Sequence, residues 1–347
     1  MANIDANTGG DGWADTGSEP RGTQRQGEGV QETGQGRRGW FVAEAADRSA
    51  TGGNLTGIAA MVAATALFTC GDAAMKLVSA TLPTGETVGV RGVSSIAIIT
   101  IAAFSTGAIY RLKDAFVRVM AWRSMGDVGS AVFFQAALAR MPFADLMGIL
   151  QMTPLSLTAA SALFLGERVG WRRWTAVAIG FAGALLVIKP GSSAFNAWAL
   201  LAVLSVLSGT LRDVSTRRLD VALSPLLIML LSQLAVAAAG LGCWAFETWQ
   251  VPSLAELLAL VLASLFSLVG HLCVIYSLRS GEVAAIAPFR YAGIVWAILV
   301  GYTIWQQLPD GLTLAGILVL VSAGLYTFYR EQQLRRLAAA HGRARNR

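Results

Sequence analysis

Charged side chains fall inside the apolar stretches of this chain: Asp72, Lys76, Arg91, Asp145, Arg212, Asp213 and Arg290. Each costs on the order of 2.5–3.5 kcal/mol if it faces lipid at mid-membrane depth. They must pair, reach an interface or face water. Asp72 precedes Lys76, and Asp213 precedes Arg217, at the spacing that puts acid and base on one helical face in the favourable order. Two readings follow. These are helix-stabilising pairs, or Asp72 acts with Arg91, and Asp213 with a partner across the fold, to close the outer and inner mouths of a pathway in turn. Arg290 follows Pro288 and precedes Tyr291, while Gln151 and Pro154 interrupt another apolar segment. A proline frees backbone carbonyls, which membrane helices tolerate beside a cavity or a polar neighbour. Interrupted segments at corresponding places in two halves of a chain mark a substrate site. Gln135, Gln151, His271, Arg290, Tyr291 and Trp296 are expected around it, Arg290 fixing an anionic group and the aromatics stacking on a flat one. Each taken alone also reads as a packing residue. A coupling proton has Asp72, Asp145, Asp213, Glu86 or His271 as its candidate carrier.

The elements that position these groups are membrane spans. The chain has 347 residues, of which 54% are hydrophobic and only 14% charged, against roughly a quarter charged in a soluble domain. Apolar runs long enough to cross about 30 Å of hydrocarbon as helices recur over 56–80, 86–109, 125–141, 143–165, 173–189, 196–216, 225–247, 254–278, 282–305 and 311–330. The expected class is an all-α polytopic membrane protein with ten transmembrane helices. Residues 1–54, rich in glycine and polar groups, cannot bury enough apolar surface to order themselves and are expected to be a disordered cytoplasmic tail. They hold no apolar core of a signal peptide.

Lysine and arginine set the orientation. With the N-terminus inside, the outer loops carry Arg140 and Lys189 alone. Arg111, Lys113, Arg118, Arg123, Arg168, Arg172, Arg173, Arg217, Arg218 and Arg279 lie inside, as the positive-inside rule requires. Both termini are then cytoplasmic. The net charge of +6 is this inside excess, so nucleic acid is not an expected partner; the basic tail 331–347 faces anionic lipid headgroups instead. Cys70, Cys243 and Cys273 all lie within spans, which indicates small packing residues rather than disulfides or a metal site. No cofactor is implied.

The chain also repeats itself. At near-constant offsets, Asp72 and Lys76 fall on Asp213 and Arg217, Leu138 and Ala144 on Leu278 and Ala284, Glu167 on Gln307, and Ala182-Gly183 on Ala323-Gly324. Residues 55–190 and 191–330 therefore read as two five-helix units. Five is odd, so the second unit enters the membrane from the opposite face, and the repeats are inverted.

The repeated unit, the Leu165-Gly166-Glu167 hinge and the following Gly180-Phe181-Ala182-Gly183-Ala184 resemble the EamA-type branch of the drug/metabolite transporter superfamily over about residues 55–330. Asp72 to Lys76, Pro83 to Arg91, Trp122-Arg123-Ser124 and Thr216-Arg217-Arg218-Leu219 are similar to the subgroup containing S-adenosylmethionine and riboflavin uptake carriers. The second hinge departs from the pattern, with Trp305-Gln306-Gln307 where an acid often recurs. The resemblance implies a cavity lined by spans 1, 3, 4, 6, 8 and 9 in the count above. At the hinge itself, Glu167 also suits a local cap and ion pair.

These features exclude a nucleotide-driven pump, because no Gly-x4-Gly-Lys-Ser/Thr loop is present. A membrane-embedded enzyme is disfavoured, because the chain has only His271 and His341 and no nucleophile motif. The expected function is secondary transport of a small polar or amphipathic metabolite across the inner (plasma) membrane by alternating access, with the lipid bilayer and the substrate as partners. A non-transporting sensor or scaffold is the alternative. Substrate, direction, proton coupling and oligomeric state are not readable, though a monomer is compatible with all of this.

Overall fold

A computed structural model describes residues 33–107, 118–167, 169–191, 195–218, 224–280 and 282–345, with side chains from 54 to 334 apart from 283 and 284. Contacts divide the chain into Met1–Arg48 and Ser49–Arg347. In the first unit, residues 33–48 are helical. The second unit contains everything that follows.

The described residues are helical or irregular and contain no strand. The helices are α1 (Thr33–Val78), α2 (Thr84–Ser105), α3 (Arg118–Arg140), α4 (Phe143–Leu150), α5 (Thr153–Phe164) and α6 (Trp171–Ile188). There follow α7 (Ala199–Thr216), α8 (Pro225–Gly242), α9 (Leu254–Ser280), α10 (Val283–Ile286), α11 (Ala292–Trp305) and α12 (Gly311–Arg345). Nine helical stretches among the described residues are long and apolar enough to cross a membrane: Asn54–Val78, Thr84–Ser105, Phe143–Phe164, Trp171–Ile188, Ala199–Thr216, Pro225–Ala245, Leu254–Ser280, Ala287–Trp305 and Gly311–Leu334. The expected third span differs. As α3 it has the length, but Arg118, Arg123, Asp127 and Arg140 keep it below the apolar average of a spanning helix.

The terminal helices extend beyond the spans. The first helix begins at Thr33, upstream of the residue-54 boundary, and the last runs to Arg345 through most of the 331–347 segment. Helix once nucleated propagates at low cost per residue. Residues 1–32 lie outside the described residues.

Two spans are broken at polar or proline sites. Gln151 caps α4, and Pro154 sits in the first turn of α5, where its missing N–H costs nothing. Downstream, α10 passes into a 3-10 turn, Ala287–Tyr291, containing Pro288, before α11 begins. The two broken spans end alike. After α5, Gly166 takes φ +69° and the Glu167 N–H reaches back to the Ser161 carbonyl; after α11, Gln306 takes φ +55° and the Gln307 N–H reaches the Gly301 carbonyl. This is a left-handed cap that satisfies carbonyls at a helix end. Glycine adopts it freely; Gln306 bears a steric cost for the same geometry.

Glycines set the closest helix crossings. A Cβ on Gly240 would collide with the Gly89 nitrogen, bringing α8 against α2, and a Cβ on Gly316 would lie 2.5 Å from the Gly183 carbonyl oxygen, bringing α12 against α6. Small residues let backbones approach where lipid gives no hydrophobic drive. The α6 and α12 pair is also fastened near each end, by Lys189 to Asp310 at 2.5 Å and by Arg173 to Glu331 at 3.3 Å. Beyond these, α3 packs on α7, α4 on α11, α2 on α9 and α3 on α8.

Candidate functional site

Within the second unit, α1, α2, α3, α7, α8 and α9 surround a cavity of about 400 Å³ whose lining is mostly polar. Its charged lining residues are Asp72, Arg91, Arg123, Asp127, Arg212 and Asp213, joined by His271, Gln233 and several serines. Four of these charges form one network. Asp127 accepts from Arg123 at 2.8 Å and from Arg212 at 3.4 Å, and Arg212 reaches Asp213 at 2.8 Å. Arg123 also donates to Thr216 at 3.0 Å and to the Ser232 hydroxyl. The network thereby ties α3 to α7 and α8. Charge-assisted bonds of this kind are stronger than neutral ones and offset the cost of taking each ion from water. Close approach makes it possible, since a Cβ on Gly126 would lie 2.6 Å from the Arg212 nitrogen.

Asp72 and Arg91 line the same cavity outside that network. Lys76, one turn beyond Asp72, is engaged elsewhere: its ammonium donates to the carbonyls of Leu138 and Met141, at 2.8 and 2.5 Å, and lies 5.6 Å from the Trp305 ring. Arg217 likewise reaches Glu167 at 2.9 Å and Ser161 at 3.0 Å. Among the described residues, neither Asp72 with Lys76 nor Asp213 with Arg217 closes as a side-chain ion pair. Lys76 and Arg217 instead bond to groups at the ends of α3 and α5, and Asp213 to its neighbour Arg212.

Of the other residues singled out in the sequence, His271 lines the cavity, its Nδ1 2.7 Å from the Ser267 carbonyl and its ring edge-on to Phe68. Gln135, Gln151, Arg290, Tyr291 and Trp296 are not among its lining residues. Gln135 is nonetheless buried with neither amide atom hydrogen-bonded, and the Trp296 indole N–H is also buried without a partner. Such groups are costly and call for a ligand or water. Gln151 sits at the α4–α5 break. Arg290 is exposed in the 3-10 turn, and Tyr291 packs its hydroxyl against Gly324 of α12.

Sequence reading did not single out Arg123, Asp127, Ser232 or Gln233 as site residues. Arg123 and Asp127 sit four apart near the start of α3, and that spacing was the available signal. Among the described residues, no group of three or more His, Cys, Asp or Glu side chains is placed to hold a metal ion. A second cavity of about 490 Å³, between α3, α5, α6 and α7, is lined chiefly by apolar groups such as Trp122, Leu163, Phe181 and Leu211.

No known family profile matches the chain. It is 29% identical over 181 residues to the S-adenosylmethionine uptake transporter of Rickettsia bellii (strain RML369-C), which covers 52% of this chain and 62% of that protein; the chain thus spans about three fifths of that relative's length. It is 29% identical over 270 residues to the pseudopaline exporter CntI of Pseudomonas aeruginosa, covering 77% of this chain and 94% of that one. Over 243 residues it is 29% identical to the riboflavin transporter of Rhizobium johnstonii, covering 68% and 80%. One crystal structure shares the fold, with a TM-score of 0.54 at 19% identity over 82% of this chain and 99% of that one. Apolar helices of spanning length and relatives named as transporters make this a multi-pass membrane protein.

Proposed function

We propose that the chain is a secondary transporter of the drug/metabolite type, in which two inverted five-helix repeats, 55–190 and 191–330, move a small metabolite through the charged cavity. One observation carries the reading. At the single offset that takes Asp72 to Asp213, Arg91 falls on Ser232, Ser95 on Val236, Arg123 on Ser264, Asp127 on Leu268 and Ser130 on His271, and every one of these residues lines the cavity. A cavity built from matched positions of two repeats lies at their interface, where a carrier of this architecture binds substrate.

The helix contacts support the same pairing. Taking α1 to α7, α2 to α8, α3 to α9, α4–α5 to α10–α11 and α6 to α12, each of α2, α6 and α4 packs on its own mate, and the α2–α9 contact has its counterpart in α8–α3. The alike caps at Gly166 and Gln306 belong to mated spans. On this reading α3 is the tenth span, with Arg123 and Asp127 turned to the cavity and Arg118 and Arg140 at its two ends. The basic loops then place both termini in the cytoplasm, and the network of Arg123, Asp127, Arg212 and Asp213 lies toward the inner end of the cavity. It closes the inner mouth, while Asp72 and Arg91 lie toward the outer one. Alternating access requires the inner network to exchange its ion pairs for water.

The names of the relatives span uptake and export, so they leave direction open and favour a small organic substrate. Gln135 and Trp296, with unpartnered polar atoms, are the further residues we place on the substrate path; Gln151, Arg290 and Tyr291 act through the two helix breaks. The test is flux of labelled S-adenosylmethionine, riboflavin and amino acids into proteoliposomes of the purified protein. Accumulation above empty vesicles supports the carrier; binding without flux supports the sensor alternative.

A further inference from the structure

We propose that the cavity binds a zwitterion, its ammonium held by Asp72 and its carboxylate by Arg91. The assignment rests on the carrier reading above and names the substrate class of that site.

Of the six charged side chains on the cavity wall, Arg123, Asp127, Arg212 and Asp213 satisfy one another within 3.4 Å. Asp72 and Arg91 are left over. Neither joins an ion pair within 4 Å among the described residues, and the buried Nε of Arg91 has no hydrogen-bond partner. Lys76, which could neutralise Asp72 from the next turn, is spent on the carbonyls at the end of α3. His271 is the remaining titratable group on the wall, and its Nδ1 is taken up by the Ser267 carbonyl.

Two fixed contacts bring the leftover pair together on one turn of α9. A Cβ on Gly71, beside Asp72, would lie 3.3 Å from the Ala263 carbonyl oxygen, which sets α1 against α9 at this level. The next residue, Ser264, donates its hydroxyl to the Arg91 carbonyl at 3.2 Å and accepts from Ser95 at 3.1 Å, which sets α2 against the same turn. Asp72 and Arg91 therefore approach one region from two helices without closing on each other.

An ionised carboxylate and a guanidinium withdrawn from bulk water are each costly unless paired. Asp72 and Arg91 attract each other only at longer range; a cationic ligand would give a close partner to Asp72 alone, an anionic one to Arg91 alone, and an uncharged one a charged partner to neither. A zwitterion satisfies both in a single binding event, and guanidinium is the cation suited to a carboxylate's two oxygens. The rest of the ligand meets Phe134, Met229 and Leu268 on the wall.

The test measures affinity by thermal shift, using the full chain in detergent. The probes are the free α-amino acids and S-adenosylmethionine, each against its methyl ester, which lacks the carboxylate charge, and its N-acetyl derivative, which lacks the ammonium. At least one free compound should bind, with at least tenfold loss for both derivatives. Arg91→Gln should abolish the preference over the ester alone, and Asp72→Asn the preference over the N-acetyl form alone. Should either variant fail to fold, the preferences of the unaltered protein decide. A ligand that tolerates esterification or acylation overturns the assignment, and so does the absence of binding by every one of these probes. Riboflavin flux in proteoliposomes would then leave the carrier reading standing; with neither binding nor flux of any probe, both fall.

Discussion

The carboxylate of Asp127 lies 2.8 Å from the guanidinium of Arg123, one turn away on α3, and its other oxygen accepts from Arg212 on α7 at 3.4 Å. One acid thus holds two bases from different helices beside the cavity. Asp127→Asn leaves Arg123 without an acid and Arg212 with Asp213 alone, a loss of about 3 kcal/mol for a largely buried arrangement. The expected outcome is a lower melting temperature and easier opening of the inner mouth. Labelling of a cavity thiol from the cytoplasmic side should accelerate, while labelling from the outside slows.

Lys76 caps the end of α3 from another helix, donating to Leu138 and Met141. Carbonyls at a helix end have no intrahelical partner, and bonds to a charged donor contribute about 1.5–3 kcal/mol each. Lys76→Met should therefore destabilise the protein in a detergent melt by more than Asp72→Asn does. If Asp72 were its working partner, the two substitutions would cost alike, and the double variant would cost no more than either.

The backbone approach at Gly183 and Gly316 leaves no room for a methyl group. Gly316→Ala places a Cβ 2.5 Å from the Gly183 carbonyl oxygen, and since backbone cannot swing aside, α6 and α12 must part. A destabilisation of about 1–3 kcal/mol is expected. Gly311→Ala, with open space around it, serves as the control and should differ little from the parent.

Asp310 caps α12 by accepting from the Thr313 N–H at 2.8 Å, and it pairs with Lys189 at 2.5 Å. The lysine bond first, and the backbone N–H next, hold its carboxyl down to about 2. A lowered value contributes stability that is complete above the unfolded value near 4 and is lost as pH falls through the folded one. The stability gap between the parent and Asp310→Asn should stay constant from about pH 8 to pH 5 and close toward pH 2. The carboxylate is half exposed, so the gap is at most about 1 kcal/mol. Asp310→Ala removes the cap as well and should cost about 1 kcal/mol more.

Nine spans and the two broken helices were legible because hydrophobic length and proline act locally. Asp72, Arg91, Asp213 and His271 were legible as charged or polar groups in apolar surroundings. Their partners were not. Lys76 and Arg217 have an acid one turn earlier, yet bond to α3 and to Glu167, because ion-pair choice depends on how neighbouring helices cross and rotate. Those crossings are set by Gly126, Gly183, Gly240 and Gly316, whose contacts no periodicity reveals. Arg123 and Asp127 resemble an ordinary surface pair until α7 and α8 are laid beside them. Arg290, prominent in the sequence beside Pro288, is exposed because the 3-10 turn alters the helical phase of that segment.

Alternating access through this cavity is tested most directly by a single thiol at Ser267, on the cavity wall, in a chain lacking Cys70, Cys243 and Cys273. Right-side-out and inside-out vesicles are treated with a membrane-impermeant maleimide. The account predicts labelling from both sides, protection by transported substrate, and a shift toward the cytoplasmic side on Asp127→Asn. Labelling from one side alone, unaffected by substrate or by that substitution, would contradict it.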